Sequence, residues 1–198
     1  MKLVLLRHAV TADTGVRLSG RLPDIPLSEE GVEMASIAGA RLAREDVNAL
    51  YSSPIQRCEE TATIVGEALG LRPRTVGAFT EVDFGDWTGR SLGDLARLDA
   101  WRLLNEAPSR FTFPGGEALI DAQSRTVAAV ERLDEAHRRH TIVVVTHNDI
   151  IRLVVAFYLG LSIDHFHRLE SNPTSVSVVE LPEGSGAPRV PMVNGGLL

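Results

Sequence analysis

The chain has 198 residues, of which 44% are hydrophobic and 23% are charged, and its formal net charge is −6. This length and composition are typical of a globular protein with a substantial core, and we expect residues 1–198 to form a single domain. The acidic balance argues against nucleic-acid binding or attachment to an anionic membrane, so any affinity for phosphate must come from a local cluster of cations.

The first predicted strand is the continuous apolar run at 2–7, KLVLLR, which is typical of a strand buried on both faces. Residues 11–27 are rich in Gly, Pro, Asp and Arg and predict a loop. Ser28 is the expected N-cap of the helix that follows. Its inward positions are predicted to be Val32, Ala35, Ala38 and Leu42.

A short strand is predicted at 49–53, where Pro54 ends it. The next apolar stripe has helical spacing and is closed by Gly70. Its members are Ile55, Cys58, Ala62, Val65 and Leu69. Residues 74–79 are weakly strand-like, and the stretch TEVDFGDWTG that follows predicts a loop.

The second half of the chain predicts a helix over 92–104, a loop at FPGGE, and a long helix over 118–140. The run TIVVVT at 141–146 is a second buried strand, and a helix closed by Gly160 follows it. Further strands are predicted at 174–181 and 189–193. Strands that alternate with helices in this way favour a mostly parallel sheet covered on both faces.

Two histidines and two arginines come at or just after the ends of predicted strands. Arg7 and His8 end the first strand, His147 follows TIVVVT, and Arg57 lies in the first turn of the helix after 49–53. In sheets of this kind ligands bind beyond the carboxyl ends of the strands. These four residues are therefore expected to converge on one anion.

Five blocks of sequence resemble the histidine phosphatase superfamily, the phosphoglycerate-mutase-like proteins, in order and spacing. They are LLRHAVT, YSSPIQRCEETA, EVDFGDWTG, FPGGEAL and VVVTHNDIIR, and the resemblance runs from residue 3 to about residue 180. The resemblance implies a three-layer α/β/α sandwich with a mostly parallel central sheet. It also implies a mechanism that passes through a phosphohistidine.

Carried over position by position, the resemblance makes His8 the nucleophile and Glu81 the proton donor. It implies that Arg7, Arg57 and His147 bind the phosphoryl group. The chain departs from the family pattern at four positions, which affects the secondary phosphate contacts. These are Ala9 for the usual Gly, Val10 for Glu, Thr14 for a common Asn, and Asn148 for the Gly after the second histidine.

The chemistry supports these roles independently. Two guanidiniums, each a rigid fork of donors, suit the equatorial oxygens of a transferring phosphoryl group better than lysines do. Arg7 and Arg57 disfavour the protonated form of His8, and a backbone carbonyl is expected to accept from its other ring nitrogen. A phosphate dianion beside Glu81 raises the pKa of that carboxyl, as a general acid at neutral pH requires.

The favoured function is a metal-independent phosphatase for small phosphorylated metabolites, with no cofactor. Two alternatives stay open: a phosphoglycerate mutase, and a phospho-ligand binding module without turnover. The resemblance implies that mutases carry an insertion in the region of 85–113, where this chain has room for one helix. The loops 12–26 and 105–116 are expected to build the leaving-group side. Whether Thr14, Arg17, Arg21 or Arg110 contacts substrate is left open.

Cys58 is the single cysteine, so the chain cannot form an internal disulfide. This fits a reducing compartment, and we expect a cytoplasmic protein in which Cys58 is a buried packing thiol. The apolar run at 3–6 is too short for a membrane span. The sequence leaves the oligomeric state open, with a homodimer as one outcome.

The remaining histidines and aromatics have plainer interpretations. His137 and His140 are predicted to lie at a solvated helix end. The sequence DHFH at 164–167 is a weak metal pattern without a third ligand and is interpreted as surface or packing. Four aromatics are assigned mainly to the core, with one or two near the leaving group: Phe84, Trp87, Phe111 and Phe113.

Overall fold

A computed structural model describes residues 1–184 and 186–196, which form a six-stranded mixed sheet between two layers of helices. The strands are β1 (Lys2–Arg7), β2 (Ala49–Ser52), β3 (Arg74–Thr75), β4 (Thr141–Thr146), β5 (Val176–Glu180) and β6 (Arg189–Gly195). Their order is β3-β2-β4-β1-β5-β6. The first four strands in this order are parallel, and β5 is antiparallel to both β1 and β6. The mostly parallel sheet is therefore confirmed.

The helices of the described residues are α1 (Glu29–Leu42), α2 (Gln56–Leu69), α3 (Leu92–Leu95), α4 (Asp99–Glu106), α5 (Leu119–Ala136) and α6 (Asn148–Tyr158). Alternate residues of β1 enter two different cores. Val4 and Leu6 pack with α1 and α2, whereas Leu3 and Leu5 pack with α5 and α6. A strand with apolar groups on both sides needs a helical layer on each, which confirms the three-layer sandwich.

The register between β1 and β4 positions the site. Lys2 is opposite Thr141, and the pairing continues in step to Arg7 opposite Thr146. Both strands therefore end at the same level, and the next residue of each is a histidine. The pairing register thus brings these two histidines to the same carboxyl edge of the sheet.

Two helix ends lie where the sequence predicts them from a capping residue. Ser28 caps α1, with its Oγ accepting from the Gly31 amide at 3.1 Å, and Gly70 ends α2 in the left-handed conformation at φ 66°. Gly31 is required by packing, because a Cβ there would lie 2.2 Å from the Val10 carbonyl oxygen. The expectation that Val32 faces inward was wrong, since its side chain is 47% exposed.

Two helices differ from the prediction. The segment 92–104 is broken into α3 and α4, because Leu98 has an extended backbone from which a second helix starts. The helix predicted over 118–140 ends at Ala136, and His137, which follows it, shares a 2.7 Å hydrogen bond with the Tyr51 hydroxyl. His137 therefore lies at the helix end as predicted and is half-buried there beside Tyr51, and His140 is exposed as expected.

The strand predicted at 74–79 is shorter than expected. Arg74–Thr75 pair with β2, and a 3₁₀ turn over Gly77–Phe79 then leads the chain to Glu81. Glu81 therefore also follows a strand of the parallel set. Within residues 1–184 and 186–196, no helix combines the length and the hydrophobicity that crossing a membrane requires.

Candidate active site

The strand ends bring Arg7, His8, Arg57 and His147 together, as the sequence predicts. Arg57 joins the two histidines: its Nε donates to His8 Nε2 at 3.1 Å, and its Nη2 donates to His147 Nδ1 at 3.0 Å. The two imidazole rings have centroids 5.4 Å apart. We call these four residues the strand-end group.

His8 is held as a neutral imidazole of one tautomer. Its Nδ1 lies 2.7 Å from the Ala9 carbonyl oxygen, which can only accept, so the ring proton is on Nδ1. Its Nε2 accepts from Arg57 and is therefore unprotonated. Burial, and then the charge of Arg57, hold the pKa of His8 well below its usual range. Nε2 thus has the lone pair that a nucleophile needs.

His147 is fully buried behind Arg57 and is not among the described residues that line the cavity. Because its Nδ1 accepts from Arg57, its Nε2 carries the proton and donates to Ser53 Oγ at 2.8 Å. Burial, and then the Arg57 charge, hold the pKa of His147 well below its usual range. In this arrangement the ring orients a guanidinium and offers no donor to the cavity.

The two arginines retain unused donors. Arg57 also donates from Nη2 to the Gly20 carbonyl at 2.8 Å, and Arg7 donates from Nη1 to the Ser171 carbonyl. Among the described residues, neither Arg57 Nη1 nor Arg7 Nε has a hydrogen-bond partner. Buried donors without partners are costly, and an anion in the cavity is an acceptor that suits a pair of guanidiniums.

Glu81 lies beside the strand-end group, on the loop after β3. It is buried, its Oε1 accepts from the Val82 amide at 2.9 Å, and its Oε2 lies 3.9 Å from His147 Nδ1. Burial and, next, the charge of Asp149 raise the pKa of Glu81 to about 8. The carboxyl group is therefore mainly protonated at neutral pH, as a general acid must be.

A set of residues that sequence reasoning missed fixes the backbone of Glu81. Its carbonyl oxygen accepts from Arg21 Nε at 2.8 Å and from Arg125 Nη2 at 3.3 Å. Glu117 ties both arginines together, accepting from Arg21 Nη2 at 2.9 Å and from Arg125 Nη2 at 2.7 Å. We call Arg21, Glu117 and Arg125 the clamp. The only sequence signal was the place of Glu117 in the FPGGE block, which does not identify its partners.

Close backbone packing completes the support of this loop. Gly85 and Gly116 lie where the loop after Glu81 crosses the loop before α5. A Cβ on Gly85 would lie 2.1 Å from the Pro114 carbonyl oxygen, and one on Gly116 would lie 2.2 Å from the Asp83 carbonyl oxygen. Only glycine permits so close an approach of the two backbones.

A cavity of about 360 Å³ lies over Arg7, His8, Arg57 and Glu81. We call its other lining residues the surrounding wall. They are Thr11, Asp13, Thr14, Gly15, Arg17, Leu18, Ser19, Gly20, Phe84, Leu92, Trp101, Leu104, Asn105, Phe113, Asn148, Asp149, Arg152 and His167. Two of the four aromatics, Phe84 and Phe113, line this cavity, and their place beside a leaving group stays a prediction.

The residues that the sequence left open have different positions. Thr14 and Arg17 belong to the surrounding wall, and Arg17 Nε forms an ion pair with Asp13 at 2.7 Å. Arg21 belongs to the clamp, and Arg110 is exposed and is not among the described residues that line the cavity.

Sequence reasoning also missed part of the surrounding wall. Asp149 and Arg152 form an ion pair at 3.6 Å in the first half of α6. His167 was interpreted as surface or packing, yet it lines the cavity, with its Nε2 3.3 Å from the Leu104 carbonyl oxygen. The described residues contain no group of three or more His, Cys, Asp or Glu arranged to hold a metal ion.

Cys58 packs against the strand-end group without taking part in it chemically. Its side chain is fully buried, and its Sγ lies 3.4 Å from His147 Nε2. Burial raises the pKa of the thiol above its ordinary value, so the reactive thiolate is disfavoured. The buried position that the sequence predicts for Cys58 is confirmed.

Comparison with known proteins gives a consistent result. The family model described as histidine phosphatase superfamily (branch 1) matches residues 3–192. Phosphoserine phosphatase 1 of Hydrogenobacter thermophilus is 30% identical, with 92% of this chain and 88% of the relative covered. The 2,3-bisphosphoglycerate-dependent phosphoglycerate mutase of Thermoplasma acidophilum is 27% identical, with 91% and 88% covered.

A solved structure extends the similarity to three dimensions. The structure of a mycobacterial glucosyl-3-phosphoglycerate phosphatase complexed with VO3 superposes with a TM-score of 0.88 at 27% identity. The similarity covers 98% of this chain and 99% of the other.

Proposed function

The chain belongs to the histidine phosphatase superfamily and is a phosphoric monoester hydrolase, and we propose that it cleaves small phosphate monoesters through a phosphohistidine on His8. One observation carries the mechanism. His8 Nε2 is unprotonated and lies beside the Arg57 guanidinium, and next to this group is the Glu81 carboxyl, whose pKa burial raises to about 8. A nucleophile, a cation for the phosphoryl oxygens and an acid are thus present together.

In the first step His8 Nε2 attacks phosphorus, and the bond from phosphorus to the ester oxygen breaks. The electron pair goes to the leaving oxygen, which takes the proton of Glu81. The Arg57 hydrogen bond to Nε2 must be given up first, and phosphoryl oxygens are the stronger acceptors to which that donor can turn. The unused donors of Arg7 and Arg57 support stabilisation of the charge on these oxygens.

In the second step the Glu81 carboxylate takes a proton from water, and the water oxygen attacks phosphorus. The bond from phosphorus to Nε2 breaks, its electron pair returns to the ring, and inorganic phosphate leaves. His147 orients Arg57 from behind in this proposal, so the expected contact between His147 and the phosphoryl group is an indirect one. The positive charge comes from arginines, and the proposal therefore involves no metal.

The test is release of inorganic phosphate from a panel of phosphorylated metabolites, with and without exhaustive chelation of divalent cations. We expect release from several monoesters and no loss of activity in chelator. Activity that disappears in chelator and returns with a divalent ion would overturn the metal-independent mechanism. No release from any monoester would favour the binding module instead.

The mutase alternative has a separate test. A mutase must keep its phosphohistidine from water until the substrate takes the phosphoryl group back. We expect free phosphate from 3-phosphoglycerate and negligible 2-phosphoglycerate, even with bisphosphoglycerate as primer. Efficient interconversion with little free phosphate would assign the chain to the mutases.

A further inference from the structure

The charges around the cavity define what kind of leaving group fits it. The lining carries four guanidiniums and two aspartates: Arg7, Arg17, Arg57, Arg152, Asp13 and Asp149. Burial lowers the pKa of His8 and His167 and raises that of Glu81 to about 8, so these three groups are mainly neutral at pH 7. The cavity then has a net charge of +2, which a phosphate monoester dianion balances. A leaving group without net charge completes the match.

The two ion pairs in the surrounding wall differ in how many close hydrogen bonds their carboxylates accept. Asp13 lies 2.7 Å from Arg17 Nε and also accepts from the Ser19 hydroxyl at 2.8 Å, so its carboxylate is already well bonded. Asp149 lies 3.6 Å from Arg152 Nη1, beyond ordinary hydrogen-bond distance, and accepts from Asn148 Nδ2 at 2.9 Å. The Asp149–Arg152 pair is therefore the less completely hydrogen-bonded of the two, and we call it the open pair.

Unused polar atoms accompany this open pair. Among the described residues, Arg152 Nε and Asn148 Oδ1 are buried without a hydrogen-bond partner. The side chains of Arg152 and Asp149 are only 21% and 19% exposed, so their charges are partly desolvated. A ligand that brings both a cation and an anion would use these groups, whereas an apolar leaving group would leave them unused.

The pair also lines the same cavity as His8, the proposed nucleophile. Asp149 follows His147 by two residues on α6, and its charge acts on both Glu81 and Arg7. A leaving group of a few atoms, attached to a phosphoryl group at His8, lies within the same cavity of about 360 Å³.

We propose that Asp149 and Arg152 form the leaving-group subsite, and that they select a leaving group with both an ammonium and a carboxylate, the chemistry of a free O-phosphorylated amino acid. Asp149 accepts from the ammonium, with Asn148 Oδ1 as a second acceptor, and Arg152 donates to the carboxylate. The inference rests on the proposed phosphatase function and names its substrate class.

Four phosphate monoesters test the two charges separately. O-Phosphoserine has both charges, and 3-phosphoglycerate has a hydroxyl in place of the ammonium. O-Phosphoethanolamine has only the ammonium, and glycerol 3-phosphate has neither charge. We expect the highest kcat/KM for phosphoserine, with a loss of about tenfold or more when the ammonium or the carboxylate is absent, since hydrogen bonds to charged groups are the stronger ones.

Variants assign each charge to its residue. Asp149→Asn should bring the kcat/KM of phosphoserine and 3-phosphoglycerate to within about threefold, because the carboxylate that distinguishes ammonium from hydroxyl is gone. Arg152→Gln should instead remove the preference for phosphoserine over phosphoethanolamine. Asp13→Asn is the matched control, and both preferences should persist in it.

Several outcomes would overturn the inference. Equal kcat/KM values of the wild type for phosphoserine and 3-phosphoglycerate would overturn it. If glycerol 3-phosphate is hydrolysed with the same kcat/KM as these two, the subsite proposal fails while the proposed phosphatase function still holds. N-Acetyl-O-phosphoserine amide, in which both charges are blocked, should be a poor substrate. If it is the better one, the site binds phosphopeptides rather than free amino acids. No phosphate from any of these esters would count against the proposed function itself.

Equilibrium binding keeps the inference testable if Asp149→Asn does not fold. His8→Ala prevents transfer of the phosphoryl group but retains the subsite, so the Kd values of phosphoserine and 3-phosphoglycerate can be compared by calorimetry. We expect phosphoserine to bind about tenfold or more tightly. Equal affinities would contradict the role of Asp149.

Discussion

In the strand-end group each side chain comes at or just after the end of a parallel strand, whereas the surrounding wall collects side chains from segments far apart in sequence. His8 follows β1, His147 follows β4, and the contact of these two rings with the Arg57 side chain depends on strands that end in step. In the wall, Trp101 of α4 and His167 of a 3₁₀ turn line the same cavity.

The electrostatics of the two regions differ as well. The strand-end group is cationic, and three of its four side chains are buried, with Arg7 half-buried. Its neutral imidazoles and unused arginine donors suit a phosphoryl group of any monoester. The surrounding wall pairs acids with bases, Asp13 with Arg17 and Asp149 with Arg152. In the proposed function the sheet edge thus holds the reaction centre common to all monoesters, and loops and helix starts form the side that selects the leaving group.

The largest expected effect is at the strand-end group. His8→Ala should lower phosphatase activity on every substrate by at least about a thousandfold, because the nucleophile is lost. Wild type quenched rapidly with labelled substrate should contain an acid-labile, base-stable phosphoprotein that the variant lacks. An unchanged thermal unfolding profile serves as the control for folding. A phosphoserine adduct in place of phosphohistidine would show that the nucleophile is another residue.

Arg57→Lys should cost about a hundredfold to a thousandfold in kcat/KM, and to a similar extent on all monoesters. A lysine retains the charge but cannot contact His8, His147 and a phosphoryl oxygen at once. Arg110→Lys is the matched control outside the cavity and should leave the rates unchanged. A loss confined to substrates with one kind of leaving group would mean that Arg57 contributes to substrate specificity and not to the common reaction centre.

Glu81→Gln should slow hydrolysis to an extent that depends on how basic the leaving oxygen of the substrate is. We expect a loss of about a hundredfold on alkyl phosphates, whose alkoxide needs a proton, and a much smaller loss on p-nitrophenyl phosphate, whose phenolate does not. The ratio of kcat/KM values for the two substrates is the measurement. Equal losses on both would mean that Glu81 shapes the site without donating a proton.

Glu117→Gln should give a smaller loss, about tenfold on alkyl phosphates and little on p-nitrophenyl phosphate, in the same direction as Glu81→Gln. Glu117 acts through Arg21 and Arg125 on the backbone of Glu81 and is a positioning residue. Glu33→Gln, an exposed substitution on α1, is the matched control. An equal loss on both substrates would indicate a general structural role.

The smallest expected effect is the pH dependence of the wild type, a change of a few-fold near neutrality. The pKa of Glu81 is raised to about 8, so the acid form is present below that pH and is lost as the pH rises through it. The rate constant of phosphohistidine formation from alkyl phosphates should fall on the alkaline side, measured in single-turnover experiments. The same limb should be absent in Glu81→Gln, and its persistence there would assign it to another group.

Much of the molecule was predictable from its sequence because the signals are local. The apolar runs at 2–7 and 141–146, the cap at Ser28 and the turn at Gly70 depend on residues within a few positions of each other. The clamp was not predictable in this way. Glu117 and Arg21 are 96 positions apart, and neither has a spacing that identifies the other.

The sequence by itself determined the three-layer fold and the convergence of the strand-end group. Buried strands and amphipathic helices follow from hydrophobic periodicity, and the chain position of each chemical residue follows from where an apolar run stops. Parallel strands then deliver those residues to one edge of the sheet, whichever loops connect them.

Only the tertiary structure decided how the site is finished. It placed His147 behind Arg57 and brought Arg21 to the backbone carbonyl oxygen of Glu81. It also brought the Asp149–Arg152 pair into the lining of the cavity. The physical reason is that side-chain contacts between distant segments depend on how loops and helices pack, and no local pattern records that packing.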